Sequence, residues 1–456
     1  MALALGLGLV RLTRNDIWFD EAASLLFAKQ RGLDFFRVIM REDTHGPVYY
    51  GLLKLWILLF GESVWAVRLP SVLCGAGAVL VVAHLGARLW DRTVGLLAAL
   101  LVAASPFHIF YSQEVRFYSL IGFLASLHVL CLLHLVTVPP SDSAGSKTNP
   151  RWPWWGFVAT GAASVLTFYL SGLLLVAEAL CILRLWNRIP RRRVLGAFVA
   201  LAAICSAWLP ALVWQVRHTQ GSIRWIPHRT TWHFLSHAAL TFTAGKGSTW
   251  FEDVMTAAIV LAAGIALARA IRSKNKGQLL LACWFAIPLL ALLAISVRQP
   301  ILLPRYLFML LPAFFLLAAA AVWHPPVARL RWPLIAAVVT ALVMADARYF
   351  TRFKFTERWT DAANYVRSEA AVSDVLLALP ANDTATLAYY FPNLKGLRGA
   401  NSPREIDRFL VRNHRLWVFT FREQDRIKPG QITQDALLLD SRDFGSLNVS
   451  SFLLRR

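Results

Sequence analysis

Charge is scarce in this sequence: Asp, Glu, Lys and Arg make up 16% of its 456 residues, where a soluble domain carries about 25%. That shortage excludes an ordinary soluble enzyme. With 57% apolar residues, among them 28 Phe and 18 Trp, it equally excludes a disordered chain. Acidic residues are the scarcer sign, 26 against 47 Lys and Arg. In a soluble chain that excess would suggest nucleic acid. In one with a mean hydropathy of +0.52 it suits cytoplasmic loops that set membrane topology, so no nucleic-acid partner is expected. Cysteine is scarce too: Cys74, Cys131, Cys181, Cys205 and Cys283 all lie in apolar runs with no Cys-x-x-Cys spacing, which argues against a disulfide scaffold or a thiolate metal centre.

What is abundant is long apolar runs. A spanning helix needs roughly 20 mainly apolar residues, and such runs fall near 66–86, 94–111, 117–138, 153–170, 172–187, 194–214, 253–271, 279–297, 303–323 and 333–349. The opening MALALGLGLVRL is an eleventh candidate. It would rise only ~18 Å against a ~30 Å hydrocarbon core, so this helix is half-length or the chain starts further upstream. A cleaved signal peptide fits poorly, because no basic region precedes the run.

Basic clusters occupy every second loop: Arg88/Arg92, Lys147/Arg151, Arg188/Arg191/Arg192/Arg193, Arg272/Lys274/Lys276 and Arg329/Arg331. These loops are expected to be cytoplasmic, which places 13–64, 112–116, 215–252, 298–304 and everything after about 350 outside. Two domains are expected: 1–350 in the membrane, with the first outer loop at 13–64, and 351–456 as a small extracytoplasmic α/β domain. In the latter, Val375 to Leu379, Leu416 to Phe421 and Leu447 to Leu454 read as strands, Trp359 to Ala371 and Pro403 to Arg412 as helices. Pro139 to Pro150 reads as a linker.

Four features carry chemistry. Asp16-Ile17-Trp18-Phe19-Asp20-Glu21 precedes a helix-like run from Ala22 to Lys29. Apolar surroundings are what make a carboxylate a competent general base towards a hydroxyl; the plainer reading is a helix cap at Asp20. His45-Gly46-Pro47-Val48-Tyr49-Tyr50 follows in the same loop. Tyr111-Ser112-Gln113-Glu114-Val115-Arg116-Phe117-Tyr118 is a turn between spans; interfacial anchoring accounts for its tyrosines but poorly for Gln113, Glu114 and Arg116. Arg305-Tyr306 begins a span where a planar guanidinium suits a lipid phosphate or simply snorkels. Glu178, inside a span, needs a partner or a water-filled cavity. The segment with His218, Trp225, His228, Trp232, His233, His237 and Trp250 reads as interfacial and amphipathic; only His233 and His237, at i and i+4, could share a ligand.

Trp18-Phe19-Asp20-Glu21-Ala22, His45-Gly46-Pro47-Val48-Tyr49-Tyr50, Ser112-Gln113-Glu114-Val115-Arg116-Phe117-Tyr118 and Pro304-Arg305-Tyr306-Leu307 together resemble the bacterial branch of glycosyltransferase family 39, related to protein O-mannosyltransferases and lipid A aminoarabinose transferases. The resemblance implies a GT-C fold with about 11 transmembrane helices, in the bacterial plasma (inner) membrane. It implies transfer of a sugar from a polyprenyl-phosphate donor to an acceptor protein, lipid or glycan on the outer face, with inversion. Carried over, Asp20 is the general base with Glu21 beside it. His45, Tyr49 and Tyr50 line the cavity, Gln113, Glu114, Arg116 and Tyr118 shape the sugar pocket, and Arg305 with Tyr306 holds the lipid phosphate. No metal is required on this reading; some GT-C relatives hold a divalent ion on carboxylates, for which Glu42 and Asp43 are the ligands this sequence would offer. Gly46 stands where the family usually has proline and is expected only to loosen the loop. The alternative is a multi-span transporter or flippase of a lipid-linked or small solute, which would place its polar groups nearer the bilayer midplane. Nothing in the residues names the sugar.

Overall fold

The computed structural model describes residues 1–137, 152–218, 226–227, 230–325, 327–352, 357–394, 397–406, 409, 415–420 and 436–454; the expected linker at Pro139 to Pro150, with Trp225 and His228, lies outside them. The chain forms two units, a membrane unit of residues 1–11 and 30–353 and a sheet unit of 12–29 and 354–456. The first helices are α1 (Ala2–Leu9), α2 (Phe19–Lys29), α3 (Gly32–Glu42) and α4 (Val48–Phe60), of which α2 belongs to the sheet unit.

The membrane unit continues with α5 (Val64–Leu89), α6 (Arg92–Ala103), α7 (Pro106–Ser112), α8 (Tyr118–Thr137), α9 (Trp152–Val165) and α10 (Gly172–Arg184). Then come α11 (Arg191–Ser206), α12 (Leu209–His218), α13 (Thr231–Thr243), α14 (Trp250–Arg272), α15 (Lys276–Ser296), α16 (Leu311–Trp323), entered through a 3₁₀ turn at Pro304–Leu310, and α17 (Arg331–Arg352). Among the described residues six helical segments are long and apolar enough to cross a bilayer, and eight if each of two bent pairs is one span. The pairs are α6/α7, bent by 63°, and α11/α12, bent by 57°. The first bends because Pro106 cannot extend α6, while Ser105 caps α7 by accepting from the His108 amide at 3.3 Å.

Three of the eleven segments expected to span form short helices. α1 has 8 residues, α9 has 14 and α10 has 13, so at 1.5 Å per residue the longest rises only ~21 Å. α9 stops short because residues 166–171 leave the helix: the Leu166 carbonyl accepts from the Val48 amide at 3.2 Å instead. Glu178 finds its partner inside the bundle. Its Oε2 lies 2.9 Å from His128 Nε2, both side chains being fully buried. The other ring nitrogen faces the Phe157 carbonyl at 3.0 Å and Thr160 Oγ1 at 3.1 Å, so this pair braces α8, α9 and α10.

In the sheet unit α18 (Trp359–Glu369), α19 (Thr384–Tyr390) and α20 (Pro403–Ile406) accompany β1 (Val375–Leu379), β2 (Leu397–Gly399), β3 (Arg415–Thr420), β4 (Ala436–Phe444) and β5 (Leu447–Leu454). The strand order is β2-β1-β3-β5-β4. β1 runs parallel to both β2 and β3, and β5 runs antiparallel to β3 and β4. One face buries Leu376, Trp417 and Phe419 beneath Trp359 and Val366, the other Leu377, Val418 and Phe452. Residues 12–29, expected with the membrane domain, pack here for specific reasons. Asp16 accepts from the Thr360 amide (2.9 Å) and hydroxyl (2.7 Å) at the start of α18, Tyr390 donates to the Ile17 carbonyl at 3.1 Å, and α2 lies against α19.

Candidate active site

In the membrane unit the chain between α3 and α4 is a strap of five residues. Its anchor is Asp43. One carboxylate oxygen accepts from the Thr44 amide and lies against His45 Nδ1, both at 2.7 Å, and the other accepts from the Tyr50 hydroxyl. Burial pushes the Asp43 carboxyl up, but His45, the Arg116 charge and Tyr50 outweigh it and hold the group well below its ordinary range. A group so firmly ionised is a weak base, so its work is to orient His45 and Tyr50.

From the other side the strap is gripped by Gln215 of α12, which is buried. Its two amide N–H groups are shared by the carbonyls of Ile39 (3.1 Å), Asp43 (3.1 Å) and His45 (3.3 Å), while its oxygen accepts from Tyr169 at 2.6 Å. Replacing Gln215 by Leu strips three carbonyls of a donor. We expect a loss of about 1–3 kcal/mol, read as a lower midpoint of thermal unfolding; a midpoint equal to wild type would show the strap is held otherwise.

Gly46 corrects its sequence reading. A Cβ there would stand 1.9 Å from the Leu166 carbonyl oxygen, so the residue permits a close backbone approach between strap and turn 166–171 and does not loosen the loop.

The strap presents its rings to those of other segments. His45 lies 4.5 Å from Phe117 and stacks at 5.9 Å on Phe168, Tyr49 meets Phe117 edge-on at 6.1 Å, and Phe168 reaches Tyr306 at 5.6 Å. Arg116 sits over Phe117 at 5.1 Å and Tyr118 at 5.9 Å, and Arg305 over Tyr306 at 5.9 Å. Three motifs distant in sequence thus share one aromatic wall with a guanidinium at two points along it. Ser71 of α5 holds the turn beneath by donating to the Glu114 carbonyl at 2.6 Å. Glu114 is buried. Gln113 faces elsewhere: its amide donates to the carbonyls of Gly8 (3.0 Å) and Val10 (2.8 Å) at the end of α1, and its oxygen accepts from Tyr349 at 2.8 Å.

Asp20 and Glu21 stand in the sheet unit, in the first turn of α2, where carboxylates suit the positive end of the helix dipole. Asp20 is half-buried and Glu21 fully buried. Nearby within this unit, Glu357 has its carboxyl pushed up by burial, resisted by the Trp359 indole at 2.9 Å, and raised further by the charge on Asp20.

For a metal, Glu42 is exposed and both oxygens of Asp43 are engaged. Among the described residues no three His, Cys, Asp or Glu side chains gather as a ligand set. His233 and His237 only stack, 6.4 Å apart. Sequence reading placed Phe117 only as a member of the 111–118 turn and missed Phe168, Tyr169 and Gln215 as parts of the site; being apolar or neutral and set in or beside spans, these three carried no signal.

Residues 44–214 match the sequence model of the dolichyl-phosphate-mannose-protein mannosyltransferase family. No curated protein sequence matches the chain. Among solved structures, ArnT from Cupriavidus metallidurans in the apo state superposes with a TM-score of 0.64 at 15% identity, over 99% of this chain and 96% of that one. The same protein bound to undecaprenyl phosphate gives 0.63 at 15% identity, with the same coverage. The oligosaccharyltransferase AglB from Archaeoglobus fulgidus, in complex with an inhibitory peptide and a dolichol-phosphate, gives 0.53 at 11% identity over 82% of this chain and 61% of that one. The chain therefore shares the fold of these structures. The stretch matched by the mannosyltransferase family model holds the strap from Thr44 onward and the 113–118 turn but not Asp20, Asp43 or Arg305.

Proposed function

We propose that the protein is an integral-membrane glycosyltransferase that moves a sugar from a polyprenyl-phosphate donor to an acceptor hydroxyl on the outer face of a bacterial plasma membrane. The observation that carries this reading is the aromatic wall joining His45, Phe117, Phe168 and Tyr306, flanked by Arg116 and Arg305, in a GT-C fold. Flat rings suit the C–H faces of a sugar, and guanidinium groups suit a phosphate.

Asp20 takes the acceptor's proton as its oxygen attacks the anomeric carbon. The bond from that carbon to the phosphate oxygen breaks, and the electron pair leaves with the polyprenyl phosphate. A single in-line displacement inverts the anomeric centre. The phosphate gains negative charge as it departs, so Arg305 acts mainly by stabilising that charge. Replacing Arg305 by Ala should lower kcat/KM for donor about tenfold, the cost of one charge-assisted hydrogen bond, and leave the KM for acceptor near wild type. An unchanged donor dependence would assign Arg305 to snorkelling.

The side of the membrane is testable separately. A cysteine introduced at Ser402 should react with an impermeant maleimide on intact spheroplasts, and protection until lysis would invert the topology.

A further inference from the structure

Arg305 is carried by the 3₁₀ turn Pro304–Leu310, which runs for seven residues. Such turns rarely exceed three or four, because their hydrogen bonds are poorer than those of an α-helix, so a longer run needs support from its surroundings. With three residues per turn, side chains three apart eclipse. Phe308 therefore stands on the same edge of the turn as Arg305, about 6 Å further along its axis. In an α-helix the two would be rotated by about 60°.

Phe308 is the fixed point of this segment. Its ring is buried and lies 5.5 Å from Phe107, 6.2 Å from His108 and 5.7 Å from Tyr111 of α7, and 6.5 Å from Tyr118 of α8. All four separations fall where aromatic rings attract one another. Gly122 of α8 makes room for the ring: a Cβ there would stand 2.8 Å from Phe308 Cε1, well inside the roughly 3.5–4.0 Å of an ordinary carbon contact. The next residue is held through its backbone, since the buried Trp284 indole donates to the Met309 carbonyl at 3.0 Å. Leu307 to Leu310 are buried, whereas Arg305 and Tyr306 are half-buried. The turn is thus anchored at one end and presents the other.

We infer that Phe308 is a positioning residue for the donor phosphate: held by the rings of α7 and α8, it fixes the direction in which the 3₁₀ turn presents Arg305. It acts through the guanidinium and not by touching the lipid. The inference rests on the phosphate role proposed for Arg305, and the test separates the two.

The test measures, on the full-length protein in neutral detergent, the affinities for farnesyl phosphate and for farnesol. Their ratio isolates the phosphate, because the two lipids share one tail. Wild type should favour the phosphate, and Arg305→Ala should cut that preference about tenfold, the worth of one charge-assisted hydrogen bond. Phe308→Leu should cut it about fivefold and leave the affinity for farnesol unchanged. Gly122→Ala, which pushes the same ring while leaving the core filled, should do likewise and serves where Phe308→Leu does not fold. Added to Arg305→Ala, neither change should lower the preference further, as expected of groups that act through one contact. A phenylalanine that merely fills the core would weaken both lipids alike or neither. A ratio unchanged in Phe308→Leu and Gly122→Ala, or a full further fall when either is added to Arg305→Ala, overturns the inference. A ratio unchanged by Arg305→Ala itself overturns the role of Arg305, and the inference with it.

Discussion

Replacing Asp20 by Asn should lower sugar transfer by at least about a hundredfold, the usual share of a general base, with the unfolding midpoint unchanged. Asparagine keeps the shape of the side chain, and the hydrogen bond from Ser24 reaches the backbone carbonyl of residue 20, so the first turn of α2 survives. Two other carboxylates could be offered as the base, and each is unsuited. Glu21 is fully buried and cannot meet an acceptor, whereas Asp20 is half-buried. Asp43 is held ionised by His45, Tyr50 and Arg116, so it cannot take over. The same variant should still bind donor, and activity within about tenfold of wild type would remove Asp20 from this role.

The second large effect runs against the resemblance. Proline is usual in the family where this chain has Gly46, so Gly46→Pro looks harmless on sequence grounds. The structure predicts the opposite. An added Cβ would lie 1.9 Å from the Leu166 carbonyl oxygen and 2.5 Å from its carbon, and these are backbone atoms that cannot swing aside. The Leu166 carbonyl also accepts from the Val48 amide, so strap and turn would have to part together. That would carry away His45 on one side and Phe168 on the other. A loss of about 3 kcal/mol or more is expected, at the upper end of overpacking costs, together with loss of transfer. Gly46→Ala should lose nearly as much, because the clash lies at Cβ and not in the ring. A Gly46→Pro protein that melts with wild type would contradict the packing described.

The spans were legible because composition alone marks them; the bend at Ser105-Pro106 was not, since 94–111 reads as one unbroken span. The shortness of α9 was not: the atom that ends it, the Leu166 carbonyl, is committed to Val48, far away in sequence. In the sheet unit β1 and β5 have the bounds read from the sequence, and β3 lies within one residue. β2, with three residues, and β4, an exposed edge with no two-residue alternation, gave nothing to read. Expected site residues such as Arg116 and Arg305 stood out as charges in apolar surroundings. Gln215 did not, since a neutral amide beside basic residues looks like any interfacial side chain until its three carbonyl partners are seen. The place of 12–29 in the sheet unit likewise depends on Asp16, which the sequence offered as one of a run of acids and the structure uses at the start of α18.

The most direct test of the central claim is native mass spectrometry of the purified Asp20→Asn protein. With the base removed and the phosphate contacts intact, the donor should accumulate on the enzyme, so the account predicts an adduct of a polyprenyl phosphate carrying a sugar, whose mass narrows the sugar. An empty protein that also fails to bind added polyprenyl-phosphate sugars would contradict the account and favour a transporter.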